Sequence, residues 1–361
     1  MKKNYFMLAA AALMFAACAE TDFVNPVPVN EGEAIDFETY ANLPTKATNP
    51  ENSTETTFKD LSTHHSSFKV WGYKNVATDY VFDGVVITHD GSEWNYQNTS
   101  DKKYWDKAAT TYEFYAAAPN IAGWELQEKT AAQHDNYFTI DNVELKDETL
   151  ASTSFVESLA GLTSNKDLMI ANPNSVDHAD FGNAVQFEFY HILSRLNITV
   201  KKQSTLTHKV VLTSISVKDL LNIANFDESK IVITTAGSTE RWTKTTNKGN
   251  LTGNALSEVT TSAQHVLQSL VIPQNVAYQN VNRDGSSVET APYLYIEYTI
   301  NGEPFNATYN LANAFGLTAD GNIPFNEGWQ NNLNITIDAA EIKFAANAFI
   351  WAKSDKDLPI D

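Results

Sequence analysis

Cysteine is nearly absent from this chain: Cys18 is the only one among 361 residues. No internal disulfide can form, so any folded part is held by burial, and no second thiol exists to complete a zinc set. Long apolar runs are missing as well. The one greasy stretch, 5–17, is too short to span a bilayer as a helix. Basic residues are scarce, 25 Lys and Arg against 44 Asp and Glu, for a formal charge of −19. Such a surface repels phosphate backbones, which argues against nucleic acid as a partner and leaves solubility as the plain meaning of the charge. The eight histidines form no His-x-x-x-His or His-x-His pair, and His64-His65 sits in a polar stretch. There is no Gly-x-Ser-x-Gly, no phosphate-cradling glycine loop and no dinucleotide fingerprint. The expectation is a protein without cofactor or metal, and not an enzyme. In the stretch 280–290, Asn280, Asn282, Asp284 and Gly285 imitate the start of a calcium loop, but the twelfth position is Ala291, so a polar hairpin loop is expected. No pair of acids stands out for hydrolysis.

The amino-terminal layout is informative. Lys2 and Lys3, the apolar stretch and then Ala16-Ala17 before the lone cysteine have the order of an export signal. The small pair before Cys18 resembles the lipobox of bacterial lipoproteins, with Phe15 standing where leucine is usual. This predicts a signal peptide over 1–17, acylation of Cys18 and attachment to the outer membrane through acyl chains. Removal of the two lysines leaves 23 basic residues against 44 acidic.

Downstream, 19–30 is a polar, proline-punctuated spacer. Residues 34–41 then alternate, with Ile35 and Phe37 on one face and Asp36 and Glu38 on the other, as in a half-buried strand. A polar Asn/Ser/Thr-rich segment, 46–57, follows, a loop within reach of a protease. The remainder reads as short strands rich in Val, Ile, Tyr, Phe and Thr, an all-β pattern of sandwiches rather than βαβ units. Asp90-Gly91 and Asn301-Gly302 predict two-residue hairpin turns. Residues 154–162 and 219–225 are read as short helices. The length suits two domains of roughly 150 residues each, and the turn-rich stretch 172–183 suggests the division, 47–180 and 181–361. In "VQFEFYHILSRLNITV" (185–200), Val185, Phe187 and Phe189 share one phase and Leu196, Ile198 and Val200 the other, so a bulge or bend near 191–195 is expected, with His191 and Arg195 as structural hydrogen-bonders. From Ala340 onward every second residue is apolar, through Ile342, Phe344, Ala346, Ala348, Ile350 and Ala352, a row too long for one strand.

An alternating strand closing in Thr45-Lys46-Ala47, then "FKVWGY" (68–73), Tyr104-Trp105 leading into "YEFYAAAP" (112–119), "KDLMIA" (166–171), "VQFEFYHILSRLNI" (185–198) and "GWQNNLNITIDAAEIKF" (328–344) occur in an order that resembles the fimbrillin family, the type V pilus subunits of Bacteroidales. The resemblance spans nearly the whole chain. It implies two transthyretin-like β-sandwich domains in series after a lipidated pro-segment, 18–46. It also implies assembly by proteolysis after a basic residue, here Lys46, giving a new terminus at Ala47. The first strand, bearing Ile35 and Phe37, would leave, and the C-terminal strand of another subunit would fill the groove. The row from Ala340 would then be a last domain strand followed by a donor strand, with Ala348, Ile350 and Ala352 as donor residues, within 345–351 and just beyond; the alternative is that 349–351 folds back onto its own domain. Partners would then be other copies or related pilus subunits, and a host or bacterial surface receptor, with residence in a fimbrium at the cell surface. The alternative from a different class is a non-polymerising surface lipoprotein that binds glycans through exposed aromatics among its seven tryptophans and fifteen tyrosines.

Overall fold

The computed structural model describes residues 32–41, 61–75, 80–129, 135–156, 158–230, 241–277, 291–316, 322–339 and 341–350. The chain is all-β, and the order of its strands follows its cores. The first ten are β1 (Phe37–Ala41), β2 (Ser67–Lys74), β3 (Tyr80–His89), β4 (Trp94–Tyr96), β5 (Thr111–Ala118), β6 (Glu125–Gln127), β7 (Tyr137–Glu144), β8 (Met169–Ala171), β9 (Asn174–Asp177) and β10 (Val185–His191). One sheet takes the order β1-β10-β8-β5-β2-β3-β4, with β9 also paired to β5. Its strands alternate, so each serves two cores at once. Phe68, Val70, Phe114, Ala116, Phe187 and Phe189 point to one face. Trp71, Tyr73, Tyr115 and Ala117 point to the other.

The remaining elements are β11 (Ser194–Lys202), β12 (Val210–Leu221), β13 (Ile223–Asp227), β14 (Trp242–Lys244), β15 (Lys248–Thr252), β16 (Gln264–Val271), β17 (Gln274–Ala277), β18 (Tyr293–Ile300), β19 (Glu303–Asn310), the helical turn α1 (Leu311–Ala314), β20 (Asn322–Phe325), β21 (Trp329–Ile337) and β22 (Ile342–Ile350). Two four-stranded sheets, β16-β11-β21-β22 and β15-β12-β18-β19, enclose the C-terminal core, in which Leu196, Ile198, Val200, Leu212, Ile215, Ile296 and Ile335 are all buried. A fourth sheet, β14-β13-β7-β6, covers the second face of the first sheet. There Trp71 meets Phe138 edge to face at 5.3 Å, and Phe226 and Trp242 join the same core.

Several expectations are corrected by this arrangement. Val185–His191 closes the first sheet between β1 and β8, so the chain changes sheets at Ile192-Leu193 and not at 180/181. The two phases of that segment are therefore two strands in two cores, joined through a bend at Leu193, within the 191–195 stretch where a bulge or bend was expected. The C-terminal half also returns β13 and β14 to the N-terminal lobe, which interlocks the two. Residues 219–225 hold no helix but the end of β12 and the start of β13, on either side of Asn222: Asp219 has φ +65° and the register with β15 shifts between Val217 and Leu220, a bulge that precedes the adjacent Leu220 and Leu221. Residues 154–162 contain no helix among those described, because Gln268 takes their peptide groups, donating to Ser154 O and accepting from Val156 N–H, both at 2.9 Å. The Asn301-Gly302 turn is a two-residue loop between Ile300 and Glu303, with φ of +53° and +90°. At Asp90 the closing pair is His89 and Trp94, leaving a four-residue loop. The Asp90 carboxylate accepts from the N–H of Ser92 and of Glu93, which stabilises the longer turn.

Candidate functional site

The alternation of residues 33–41 has a specific destination. Ile35, Phe37 and Thr39 are buried, and Glu33, Asp36 and Glu38 face out. The segment is gripped on both sides. Upstream, Ile35 N–H donates to Lys103 O (3.0 Å) and Trp105 N–H to Glu33 O (3.1 Å). Downstream, β1 runs parallel to β10 in the register Phe37 to Val185 through Ala41 to Phe189, and Val185 N–H donates to Asp36 O at 2.8 Å.

Phe37 sits where the two ends of the sheet approach each other. Its ring lies 5.8 Å from Phe187 on β10, 5.6 Å from Phe82 on β3, 5.9 Å from Tyr96 on β4 and 6.0 Å from Phe114 on β5. The Tyr96 hydroxyl donates to Ile35 O at 2.5 Å. Burial raises the pKa of that phenol, so it stays a donor at any physiological pH. Residues 33–41 are thus a strip of chain that fills a slot built, among the described residues, from later ones. Burying Ile35 and Phe37 contributes about 1.5–3 kcal/mol for each side chain.

At the other end of the chain, β22 lies antiparallel on β21, pairing Asn331 with Ala348 and Trp329 with Ile350. Ile342, Phe344 and Ala346 pack on the C-terminal core, and Ala348 is buried. The apolar row read as a domain strand plus a separate segment thus runs as one strand up to Ile350, at the edge of its own sheet. Cys18, Lys46, Ala47, Ala352 and the calcium-like stretch 280–290 lie outside the described residues, as does the side chain of Ile350.

A second constellation escaped sequence reading. His64 and His65 are not in a solvated loop: they are 5 % and 9 % exposed, where the chain turns into β2. His191, at the end of β10, places Nδ1 2.9 Å from Asp167 Oδ2, just before β8. The His64 and His191 rings meet edge to face at 5.4 Å. Burial alone would push the Asp167 carboxyl up, but His191, His65 and His64 outweigh it and hold it below its usual range. Arg195 is fully buried, donating to Val156 O and Gln268 Oε1, with Phe155 over the guanidinium at 4.7 Å; burial lowers its pKa to about 9. Arg195 is therefore the structural hydrogen-bonder that was expected. No spacing rule links residues 64, 167 and 191, so only the sheet order β10-β8-β5-β2 brings them together.

A comparison with curated proteins finds no match. Solved structures do match: a fimbrial protein of Bacteroides vulgatus, at 15 % identity and TM-score 0.50 over 88 % of this chain and 99 % of that one, and a candidate cell adhesion protein of Bacteroides ovatus, at 11 % and 0.51 over 89 % and 98 %. These likenesses establish a shared fold. In sequence, the fimbrillin-like family matches residues 45–351, a span that includes every strand from β2 to β22. A match over most of the chain, on the strands just described, makes this protein a member of the fimbrillin-like family.

Proposed function

We propose that the chain is a structural or adhesive subunit of a surface fimbria, exported as a lipoprotein acylated at Cys18 and assembled by exchange of strands. The observation that carries this reading is the seating of residues 33–41: a self-contained strip, clasped between 103–105 and β10, plugs a core made, among the described residues, of downstream ones. A cut after Lys46 would sever the covalent tie of that strip to the rest of the chain. Its departure would bare an aromatic groove and the unpaired backbone of β10, a site that requires a replacement strand. The end of β22, with Ala348, Ile350 and then Ala352, would supply that replacement to a neighbouring subunit after peeling from β21. Backbone hydrogen bonds would provide affinity, and the alternate side chains would set register. Cys18 then tethers the precursor to the outer membrane only until the cut removes it.

The test is treatment of the purified precursor with a lysine-cleaving protease, followed by a denaturant-resistant ladder on a gel and sequencing of the new terminus. A terminus at Ala47 with polymer formation, lost in Ile350→Asp, is the expected result. Cutting at Ala47 with only monomer would refute strand exchange.

A further inference from the structure

We propose that His64, Asp167 and His191 form a binding site for one divalent transition-metal ion of the zinc type. One donor atom from each of the three lies within 4.8 Å of the others, and the side chains are 5 %, 3 % and 4 % exposed. Tetrahedral ligands at zinc distances sit about 3.3 Å apart. Side-chain rotations of about 1 Å therefore close the cluster. Two imidazoles and one carboxylate suit zinc and its neighbours in the first row and not calcium or magnesium, which select oxygen.

A second observation points the same way. Asp167 Oδ1 is buried with no hydrogen-bond partner among the described residues, an orphaned acceptor on a carboxylate whose Oδ2 meets His191. Leaving such lone pairs unmet is costly, and a cation meets them. His65 supplies a further donor from the same turn: its ring bonds the Asp167 carbonyl, and its Nε2 has no partner among the described residues. His65 or a water would complete four-coordination. The ion would staple the turn before β2 to the starts and ends of β8 and β10, at the point where the chain crosses between lobes. The competing arrangement is a metal-free hydrogen bond between His191 and Asp167.

The experiment takes the full-length chain without an affinity tag, strips it with a chelator, and titrates it with zinc alone by calorimetry while recording thermal unfolding. One zinc per chain is expected, with Tm rising on the order of 5–10 °C at a hundredfold excess over Kd. Cobalt in its place should give the intense visible bands of a four-coordinate site. His191→Gln and Asp167→Asn should each weaken binding beyond the roughly 10–100-fold that an outer partner costs. Substoichiometric binding, or affinity unchanged in both variants, overturns the site. If the variants do not fold, X-ray absorption at the zinc edge of the wild-type protein decides: two or more imidazoles support it, and an all-oxygen shell overturns it.

Discussion

Phe37→Ala tests whether the first strand is a separable plug. The substitution removes a ring in contact with Phe82, Tyr96, Phe114 and Phe187 from a position only 4 % exposed. Truncation of a buried phenylalanine costs about 3–5 kcal/mol. If residues 33–41 open independently of the remaining fold, that cost falls on local opening, which becomes more frequent by about two to three and a half orders of magnitude. Native-state amide exchange reads this directly. The N–H groups of Val185 and Trp105 bond Asp36 O and Glu33 O, so they report departure of the strip, whereas Gly253 and Leu256 bond within the C-terminal lobe. Exchange at Val185 and Trp105 should accelerate by that factor while Gly253 and Leu256 keep their wild-type rates. Equal acceleration at all four amides would refute the reasoning, because the strip would then be an inseparable part of one cooperative unit.

Two further predictions address how the lobes are built. Glu327 is buried 3.4 Å from Arg241, and burial raises its pKa from the usual 4.5 to about 7 despite that arginine. Between pH 4.5 and 7 only the native state holds the proton, so stability should fall as pH rises through this window by roughly 3 kcal/mol, then level off. Denaturant midpoints across that range should show the decline in wild type and a flatter profile in Glu327→Gln. Gly72 on β2 has no space for a side chain, since a Cβ would lie 2.9 Å from Phe82 Cδ2 and 3.0 Å from Phe114 Cδ1. Gly72→Ala should destabilise by about 1–3 kcal/mol in urea unfolding, and an unchanged midpoint would show that the two rings can yield.

Local chemistry in the sequence carried those features whose cause is local. The alternation of Ile35, Phe37 and Thr39 against Asp36 and Glu38 is a strand because period two matches one buried face, and the structure buries those residues. Asn301-Gly302 accepts positive φ at both positions, and the turn follows. The failures have more than one origin. Residues 154–162 have enough apolar spacing for a helix, yet the side chains of Gln268 and Arg195, from two distant strands, occupy the peptide groups of Ser154 and Val156. The turn α1, unforeseen, depends on the Asn310 side chain accepting from Asn313 N–H. A bulge at Asp219 precedes two adjacent leucines that look helical in the sequence.

The sequence by itself determined the all-β class, the half-buried first strand and the apolar row along β22, because hydrophobic period and turn residues act within a few positions of themselves. Tertiary structure alone decided that Phe37 lies among rings from β3, β4, β5 and β10, that β13 and β14 return to the first lobe, and that His64, Asp167 and His191 meet. Strand order is a matter of which edges pair across long loops, and pairing energy depends on surfaces that exist only once the sheets have closed.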